Sequence, residues 1–307
     1  MRSAYGGGLK SMSKFNSSLG VRKPQLTAVN IISKIFLYAI CILVAIMCII
    51  PIVSLVLSVT RSSAEIDAGF KLEIGNHFFE NITGLIKHLQ DPDEGGYSIA
   101  RSFLNSVIIS VSSTTICIYF SALTAYACHV YDFKGKAIFE KFILFLIIIP
   151  GQLGAVGFYT MALKLDWMDT YIPFIFPAIA SPSTVFFMRQ YLKANFSREY
   201  VDAARMDGAN EFVTFNTICL PFIKSAIATM ALFGVISSWN NFMGPMTFLT
   251  KPELFTLPQI VSYMTTDAYI ETGPYYMGIL ITALPMLVIY FFLSKVIMKG
   301  VSTGGLK

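Results

Sequence analysis

Charge is scarce in this chain. Asp, Glu, Lys and Arg make up 13% of the 307 residues, whereas they make up about 25% of a soluble protein. Hydrophobic residues make up 55%, and the mean hydropathy is +0.63. A soluble protein of this size could not cover its surface with so few charges, so lipid must be part of the solvent. The composition also excludes a disordered, collagen-like or disulfide-stapled chain.

Residues that carry catalytic or metal chemistry are also few. The cysteines are Cys41, Cys48, Cys117, Cys128 and Cys219. They form no C-x-x-C pair, and the three histidines lack ligand spacing, so neither a metal site nor a redox motif is predicted. Gly135-Lys136 lacks the other residues of a phosphate-binding loop. We therefore expect no catalytic residue, no metal and no directly bound cofactor.

Uncharged stretches locate the membrane-spanning segments. Six of them reach the roughly 17–25 residues that a hydrocarbon core requires, and they are too long for the strands of an outer-membrane barrel. Helices are therefore predicted, because a helix satisfies its own backbone polar groups in lipid. The predicted spans cover about residues 35–60, 102–129, 142–163, 170–190, 222–242 and 276–296, after an N-terminal tail over 1–34.

Proline interrupts several of these spans. The prolines concerned are Pro51, Pro150, Pro173, Pro177, Pro182 and Pro285. Three of them fall in the fourth span, where they are expected to break or kink the helix. Two interpretations stay open: ordinary kinks, which membrane helices tolerate, or irregular backbone that lines a pathway.

Basic residues are unequally distributed between the two sides. If the spans alternate from a cytoplasmic N-terminus, 17 of the 23 Lys and Arg residues fall in inner segments and 6 in outer ones. Such an excess on the cytoplasmic side sets the orientation of membrane proteins. Both termini are therefore predicted to face the cytoplasm. The net charge of +5 then reflects topology and calls for no nucleic-acid partner.

The loop between the fourth and fifth spans, residues 197–221, is polar and patterned. Ser197 suits a helix N-cap, with Glu199 in the first turn, where the helix dipole favours an acid. Gly208 offers the positive φ that ends a helix sharply, and Asn210 can cap a second short helix. Pro221 suits a break before the next span.

The second short helix has an apolar pattern of its own. Phe212, Phe215 and Cys219 are predicted to share one face at helical spacing. The pattern fits a surface on which another protein docks, since small alanines at 203 and 204 allow close approach. It fits equally an amphipathic hairpin that merely seats the bundle at the interface.

The same loop carries a motif. Asp202-Ala203-Ala204, three residues, Gly208, nine residues and Ile218-Cys219-Leu220-Pro221 resemble the EAA loop of ABC importer permeases, E-A-A, three residues, G, nine residues, I-x-L-P. Asp202 stands where that family has Glu, and Ser197 where it has Pro. Further segments resemble the carbohydrate group of these permeases: Ser102–Ser106, Ala125–Ala127 with Phe133–Lys136, Asp169–Tyr171, Arg189-Gln190, Trp239–Phe242 and Gly300–Lys307. The resemblance covers roughly residues 30–307 and is strongest to the maltose-type oligosaccharide importers.

The resemblance implies an all-α membrane protein of the type I ABC importer permease fold, with six transmembrane helices and a cytoplasmic coupling helix between spans four and five. It implies the permease subunit of an ATP-driven sugar or oligosaccharide importer in the bacterial inner membrane, and no enzyme. The implied partners are a second homologous permease, a dimeric ATPase that uses the ATP, an extracellular or periplasmic substrate-binding protein, the sugar and membrane lipid. The implied ATPase-coupling residues are Glu199, Asp202, Ala203, Ala204, Asp207 and Gly208.

The outer segment after the fifth span is rich in aromatic residues. They are Trp239, Tyr263, Tyr269, Tyr275 and Tyr276. An interfacial aromatic belt and a loop that contacts the binding protein are both open interpretations. Since aromatic rings stack on sugars, Trp239 with Asn240 and Asn241 are predicted to line the substrate pathway. The alternatives to sugar import are a permease for phosphorylated glycerol derivatives or peptides, and a membrane assembly partner without transport.

Overall fold

The computed structural model describes the backbone of residues 28–90, 96–265 and 270–304, and the side chains of 33–90, 96–265 and 270–292. Most of the predicted N-terminal tail, Tyr269 and the last three residues of the C-terminal motif lie outside this description. The described part of the chain is helical and has no β-strand, which confirms the predicted all-helical class.

The helices follow one another in a fixed order. They are α1 (Ala28–Ser58), α2 (Ser63–Asp67), α3 (Phe78–Gln90), α4 (Ile99–Val130), α5 (Lys136–Ile148), α6 (Ala155–Lys164), α7 (Ile172–Ile175), α8 (Pro182–Asn195), α9 (Glu199–Met206), α10 (Glu211–Thr214), α11 (Leu220–Phe222), α12 (Lys224–Trp239), α13 (Met243–Phe248), α14 (Leu257–Met264) and α15 (Thr272–Gly304). A π-helical turn, Phe215–Cys219, lies between α10 and α11.

The chain divides into two compact units, residues 1–56 and 57–307. Most of α1 belongs to the first unit, and the side chains of residues 33–53 are exposed on all sides of that helix. A helix that is apolar all round suits a lipid environment. The second unit holds the remaining helices, and it contains the motif loop and the cavity beside α4 that are described below.

Four helical stretches among the described residues are long and apolar enough to cross a membrane: Ser33–Ser58, Ile99–Val130, Ile172–Asn195 and Thr272–Phe292. Two bent pairs also qualify, namely Lys136–Ile148 with Gly151–Lys164 at 89° and Glu211–Phe222 with Lys224–Trp239 at 79°. The described chain thus has four such helices, or six if each bent pair is one span.

Prolines mark the breaks between helices. The chain turns sharply at Pro150-Gly151, between α5 and α6. A 3₁₀ turn that begins at Pro177 separates α7 from α8, and α8 itself begins at Pro182. This confirms the break expected in the fourth predicted span, because proline lacks the N–H that a continuous helix needs. Pro51 and Pro285, in contrast, lie inside continuous helices.

Helix α4 packs along α8 and α12 with its polar side inward. Its buried polar residues are Ser102, Asn105, Ser106, Ser110, Ser113, Thr114 and Ser121. Small polar residues let membrane helices approach closely. At Gly234 of α12, an added Cβ would come within 2.9 Å of the Thr114 Cγ2. Glycine therefore permits this approach of α4 and α12.

An apolar core lies where α4 ends, beside the patterned loop. It joins Tyr126 of α4 and Leu192 of α8 to Val201 of α9, and continues through Phe215 and Cys219. The loop is therefore packed against the bundle by residues on its inner side.

One sequence prediction about this loop is wrong. Phe215 and Cys219 are buried, but Phe212 is 69% exposed, and Thr214 is buried instead. Three residues rotate a helix by about 300°, which leaves Phe212 offset from Phe215. Because α10 is only one turn long and directs Thr214 and Phe215 inward, Phe212 falls outside the narrow buried side.

Candidate functional site

The motif loop forms two short helices joined by a sharp corner, as predicted. Gly208 lies between α9 and α10 at φ = +83°, the left-handed region that is open to glycine. Asn210 caps α10, as predicted, and its Oδ1 accepts a hydrogen bond from the Val213 N–H at 2.9 Å. The residue that precedes α9 differs from the prediction. Arg198 occupies the cap position, and the Ser197 Oγ accepts a bond from the Glu199 N–H at 3.3 Å.

The structure separates the motif residues into an outer and an inner set. Glu199, Asp202, Ala203, Asp207 and Gly208 are exposed. Ala204, which was predicted to share the docking face with Ala203, is only 5% exposed and lies on the inner side with Val201. Residues three apart share one side of a helix, so Val201 draws Ala204 inward. The surface open to a partner therefore consists of acids, one alanine and the glycine corner.

Glu211 holds the two helices together and ties them to α4. Its Oε1 accepts a hydrogen bond from the Arg205 Nε at 2.8 Å. Its Oε2 accepts bonds from the hydroxyls of Tyr126, at 3.2 Å, and of Tyr131. Arg205 also reaches the Asp202 Oδ1 at 3.2 Å. The Arg205 guanidinium, and then the Tyr131 hydroxyl, hold the pKa of Glu211 below its ordinary value.

A second anchor lies at the start of α9. The Arg198 guanidinium bonds both oxygens of Asp132, at 2.7 and 3.2 Å, and its Nε donates to the His129 carbonyl at 3.0 Å. The Lys136 ammonium contacts the Asp132 Oδ1 at 3.0 Å. Arg198 and Lys136 hold the pKa of Asp132 far below its ordinary range. Two-point bonding between a guanidinium and a carboxylate fixes geometry as well as distance, so α9 is attached to the α4–α5 loop.

Sequence reasoning missed these anchors. Asp132 and Arg198 lie 66 residues apart, and no local pattern joins them. One signal could have indicated them. Ala125–Ala127 and Phe133–Lys136, which resemble segments of the carbohydrate permeases, lie on either side of Asp132 and contain Tyr126 and Lys136.

Motif residues also meet at the opposite end of α4. The Tyr171 hydroxyl donates to the Asn105 Oδ1 at 2.7 Å, and the Asn105 Nδ2 donates to the carbonyls of Glu253 and Phe255. Asp169, at φ = +53°, accepts bonds from the N–H groups of Thr250 and Lys251 at 2.6 and 3.1 Å. The segment that follows α13 is thereby fixed against α4.

A cavity of about 490 Å³ lies between these two ends of α4. It is lined by Ser106, Ile109, Ser113, Thr114, Cys117, Pro173, Phe174, Ala178, Ser181, Ser183, Thr184, Met230, Phe233, Gly234, Ser237, Ser238, Trp239, Asn241, Pro245 and Thr256. Nearly half of these residues are serine or threonine. The described residues that line it include no charged side chain.

Two of the three predicted pathway residues lie at this cavity. Trp239 is 2% exposed, donates through Nε1 to the Thr282 carbonyl at 3.2 Å and packs edge-on against Phe103. Asn241 accepts a bond from the Gly244 N–H at 3.0 Å. Asn240 is exposed and is not among the lining residues.

The described outer tyrosines pack on aromatic neighbours. Tyr263 contacts Phe255, and Tyr275 contacts Tyr276. This packing fits both an interfacial aromatic belt and a loop that contacts the binding protein.

Comparison with known proteins gives a family match over most of the second unit. Residues 96–299 match the family described as "Binding-protein-dependent transport system inner membrane component". The arabinooligosaccharides transport system permease protein AraQ of Bacillus subtilis (strain 168) is 30% identical over 287 residues, which cover 92% of this chain and 98% of that protein. The trehalose/maltose transport system permease protein MalG of Thermococcus litoralis is 28% identical over 282 residues, which cover 91% and 98%.

A solved structure shares the fold. The crystal structure of a bacterial ABC transporter involved in the import of the acidic polysaccharide alginate contains a chain with a TM-score of 0.72 and 20% sequence identity. The match covers 89% of this chain and 99% of that one.

Proposed function

Because the chain belongs to the family of binding-protein-dependent transport system inner membrane components, we propose that it is the permease subunit of an ATP-driven importer of a sugar or oligosaccharide. Members of this family are multi-pass inner-membrane permeases, so the chain is a transport component and not an enzyme. The names of its relatives support carbohydrate as the solute class, since they refer to arabinooligosaccharides and to trehalose and maltose. They do not favour phosphorylated glycerol derivatives or peptides, and they do not favour an assembly role without transport.

The observation that carries the coupling part of this proposal is the exposed face of α9. Asp202, Ala203 and Asp207 project from a short helix whose inner side is packed against the core. Such a ridge can enter a cleft of a separate ATPase, where Asp202 would make a charge-assisted hydrogen bond and Ala203 would allow close approach. Gly208 sets the corner, and Glu199 lies in the first turn of the same helix.

The anchors explain how movement of α9 would reach the substrate. Glu211 connects α9 to Tyr126, and Arg198 connects it to Asp132, so a displaced α9 pulls on the end of α4. The middle of α4 lines the cavity with Ser113, Thr114 and Cys117. Since a helix transmits displacement along its axis, closure of the ATPase would reshape the cavity through α4.

The proposed topology has six spans, in which Lys136–Ile148 with Gly151–Lys164 crosses once and Lys224–Trp239 forms the fifth span. Both termini lie in the cytoplasm. The asymmetry of 17 inner against 6 outer basic residues supports this orientation. It places α9 on the side of the membrane where ATP is available. The chain itself binds no cofactor in this proposal, and ATP is used by the partner ATPase.

Four kinds of partner follow. A second homologous permease would complete the pathway, a dimeric ATPase would dock on α9, and an external binding protein would deliver the sugar. Membrane lipid surrounds the apolar helices. In this arrangement Trp239 and Asn241 contribute to the substrate pathway from this chain.

The proposal is tested on the assembled importer. This chain would be tagged and co-expressed with the second permease, the ATPase and the binding protein of its own gene cluster, and the complex reconstituted in proteoliposomes. We expect ATP hydrolysis that rises when the binding protein and a sugar are added, together with accumulation of that sugar inside. Stimulation by peptides or glycerol phosphates and by no sugar, or hydrolysis of ATP by the purified chain alone, would contradict the proposal.

A further inference from the structure

We propose that residues 69–75, a non-helical segment between α2 and α3, lie in the lipid headgroup layer and turn three apolar side chains toward the acyl chains. These side chains belong to Phe70, Leu72 and Ile74. The partner of this exposed surface is therefore phospholipid, and contact with another protein is an outcome that the experiment below would reveal. The inference is separate from sugar transport and takes from the proposed function only the side of the membrane, which is the outer one.

The 69–75 segment is both apolar and exposed. Phe70, Leu72 and Ile74 are 60%, 72% and 81% exposed, and Phe79 in the first turn of α3 is 78% exposed. Large apolar side chains that are scattered singly over a surface need no explanation. Four of them along one short stretch indicate a surface that another apolar phase covers.

Apolar and charged residues alternate along this segment. Lys71 lies between Phe70 and Leu72, and Glu73 lies between Leu72 and Ile74. Because successive side chains of an extended chain point to opposite sides, one side is apolar and the other carries both charges. Such a segment suits the boundary between lipid and water. Its backbone N–H and C=O groups need water or headgroups as partners, so only the side chains enter the hydrocarbon.

Thr60 determines how deep the segment lies. The apolar span of α1 ends at Ser58, so Thr60 lies at the edge of the hydrocarbon core. The Gly75 N–H donates to the Thr60 Oγ1 at 3.0 Å, and the His77 N–H donates to the Thr60 carbonyl at 2.8 Å. Leu72 is three residues from Gly75 and therefore lies within about 10 Å of it. Since the headgroup layer is roughly 5–8 Å thick on each side, the segment stays within reach of lipid.

The other end of the segment is held at the same level. Arg61 is buried, and its guanidinium donates to the carbonyls of Glu65 and Gly69, the latter at 3.4 Å. The Asn81 Nδ2 donates to the carbonyls of Val59 and Arg61, both at 2.9 Å. Both ends of the segment and the start of α3 are thus attached to the residues that follow the first span. These attachments keep the segment close to the membrane surface, and a protein that approached from the water would meet its charged side first.

The lipid contact would also fix the outer end of α15. The Thr272 hydroxyl donates to the Asp67 Oδ1 at 2.9 Å, and the Gly273 N–H donates to the Ser63 Oγ at 3.1 Å. Both bonds join the start of α15 to α2, which directly precedes the 69–75 segment. A segment that is held in the headgroup layer therefore keeps this end of α15 at a constant depth.

Photocrosslinking along the segment tests the inference. In cells that carry the complete importer and whose phospholipids are labelled with radioactive phosphate, p-benzoylphenylalanine replaces one residue at a time at positions 70 to 74. After irradiation, the chain is purified under denaturing conditions, and its lipid label and any added protein mass are measured. We expect several-fold more lipid label from positions 70, 72 and 74 than from 71 and 73. Position 46 is the positive control, since Ile46 is exposed within the span of α1.

A cysteine on the charged side reports on the side of the membrane. A membrane-impermeant maleimide should modify Lys71→Cys in spheroplasts and leave it unmodified in sealed inside-out vesicles, with the peptide identified by mass spectrometry. Modification in the inside-out vesicles only, together with lipid label from position 72, would contradict the proposed topology and leave the lipid contact in place.

Three results would overturn the inference. They are equal lipid label from all positions of the segment, no lipid label above background from positions 70, 72 and 74, and crosslinks from these positions to the second permease or the binding protein in place of lipid. Uptake of labelled sugar by the native importer is measured separately. Lipid label without uptake of any sugar ends the proposed function and leaves the lipid contact, whereas uptake without lipid label does the reverse.

Discussion

Arg205 and Glu211 face each other across the Gly208 corner, with the Arg205 Nε and the Glu211 Oε1 2.8 Å apart. The two side chains belong to different helices of the motif loop, and Glu211 also accepts the hydroxyl of Tyr126 from α4. The contact is therefore part of a larger network than a surface ion pair. It makes one rigid unit of the α9–α10 corner and attaches this unit to a helix that lines the cavity.

Removal of Glu211 should cost more stability than removal of Arg205. Arg205→Ala loses two exposed ion pairs, with Glu211 and with Asp202, and each contributes little because water screens it. Glu211→Ala also leaves the Tyr126 hydroxyl, on a side chain that is 2% exposed, without its acceptor, at about 1–3 kcal/mol. Thermal unfolding of the purified complex measures both. Adding Tyr126→Phe to Glu211→Ala should recover part of the loss, and equal destabilisation by the two single variants would show that the tyrosine contacts carry no energy.

Gly208→Val should abolish stimulation of ATP hydrolysis by sugar and binding protein. An added Cβ at Gly208 meets no atom within 4 Å, so the effect comes from backbone strain at φ = +83°, about 1–2 kcal/mol for an ordinary residue in the left-handed region and more for a β-branched one. Asn enters that region readily, so Gly208→Asn should retain most of the stimulation. A fully stimulated Gly208→Val complex would show that the corner is not required.

Asp202→Asn should weaken binding of the ATPase by about ten-fold, the effect of one charge-assisted hydrogen bond. Asp202→Glu, which restores the acid of the family motif, should bind at least as well as the native chain. Co-purification of the ATPase at graded salt concentrations measures the effect. Glu65→Gln alters an exposed acid of α2 and is the control, so an equal loss in both variants would point to a general charge effect.

Asp169→Ala should destabilise the segment after α13, because two N–H groups and the Thr250 hydroxyl lose their acceptor. These groups are exposed and water replaces part of the lost bonding, so the expected loss is about 0.5–1.5 kcal/mol. Asp166 is the matched control, since it has the same φ of +53° but does not bond the Thr250 segment. Thermal unfolding of Asp169→Ala and Asp166→Ala compares the lost acceptor with the shared backbone strain. Similar melting temperatures for the two would refute the anchoring role of Asp169.

The anchors of α9 should be insensitive to pH in the neutral range and weaken in acid. The pKa values of Glu211 and Asp132 are both lowered, by Arg205 and Arg198 respectively. A carboxyl with a lowered pKa stabilises the fold fully above its unfolded value of about 4, and this stability is lost as the pH falls through the lowered pKa. Unfolding measured from pH 8 to pH 3 should show the loss only at the acid end. In the double variant Asp132→Asn, Glu211→Gln this acid-induced loss of stability should be smaller. An unchanged pH profile in that variant would exclude these two groups as the source of the loss.

Local features of the site were predictable from the sequence. Gly208 and Asn210 were identified correctly, because left-handed corners and helix caps depend on a residue and its immediate neighbours. The breaks at Pro150 and Pro177 follow from the proline ring itself. Phe212, in contrast, was assigned to a face that it does not share with Phe215 and Cys219, because which side of a short segment faces inward depends on what lies across from it.

The sequence by itself determined the solvent, the helical class and the motif. Scarcity of charge requires lipid, lipid requires helices, and the spacing from Asp202 to Pro221 identifies the loop, because each of these depends on composition or on short intervals along the chain. Only the tertiary structure decided that Ala204 turns inward and that Glu211 joins Arg205 to Tyr126. Those relationships join side chains that lie on separate helices, and close packing between helices, which no local pattern encodes, brings them together.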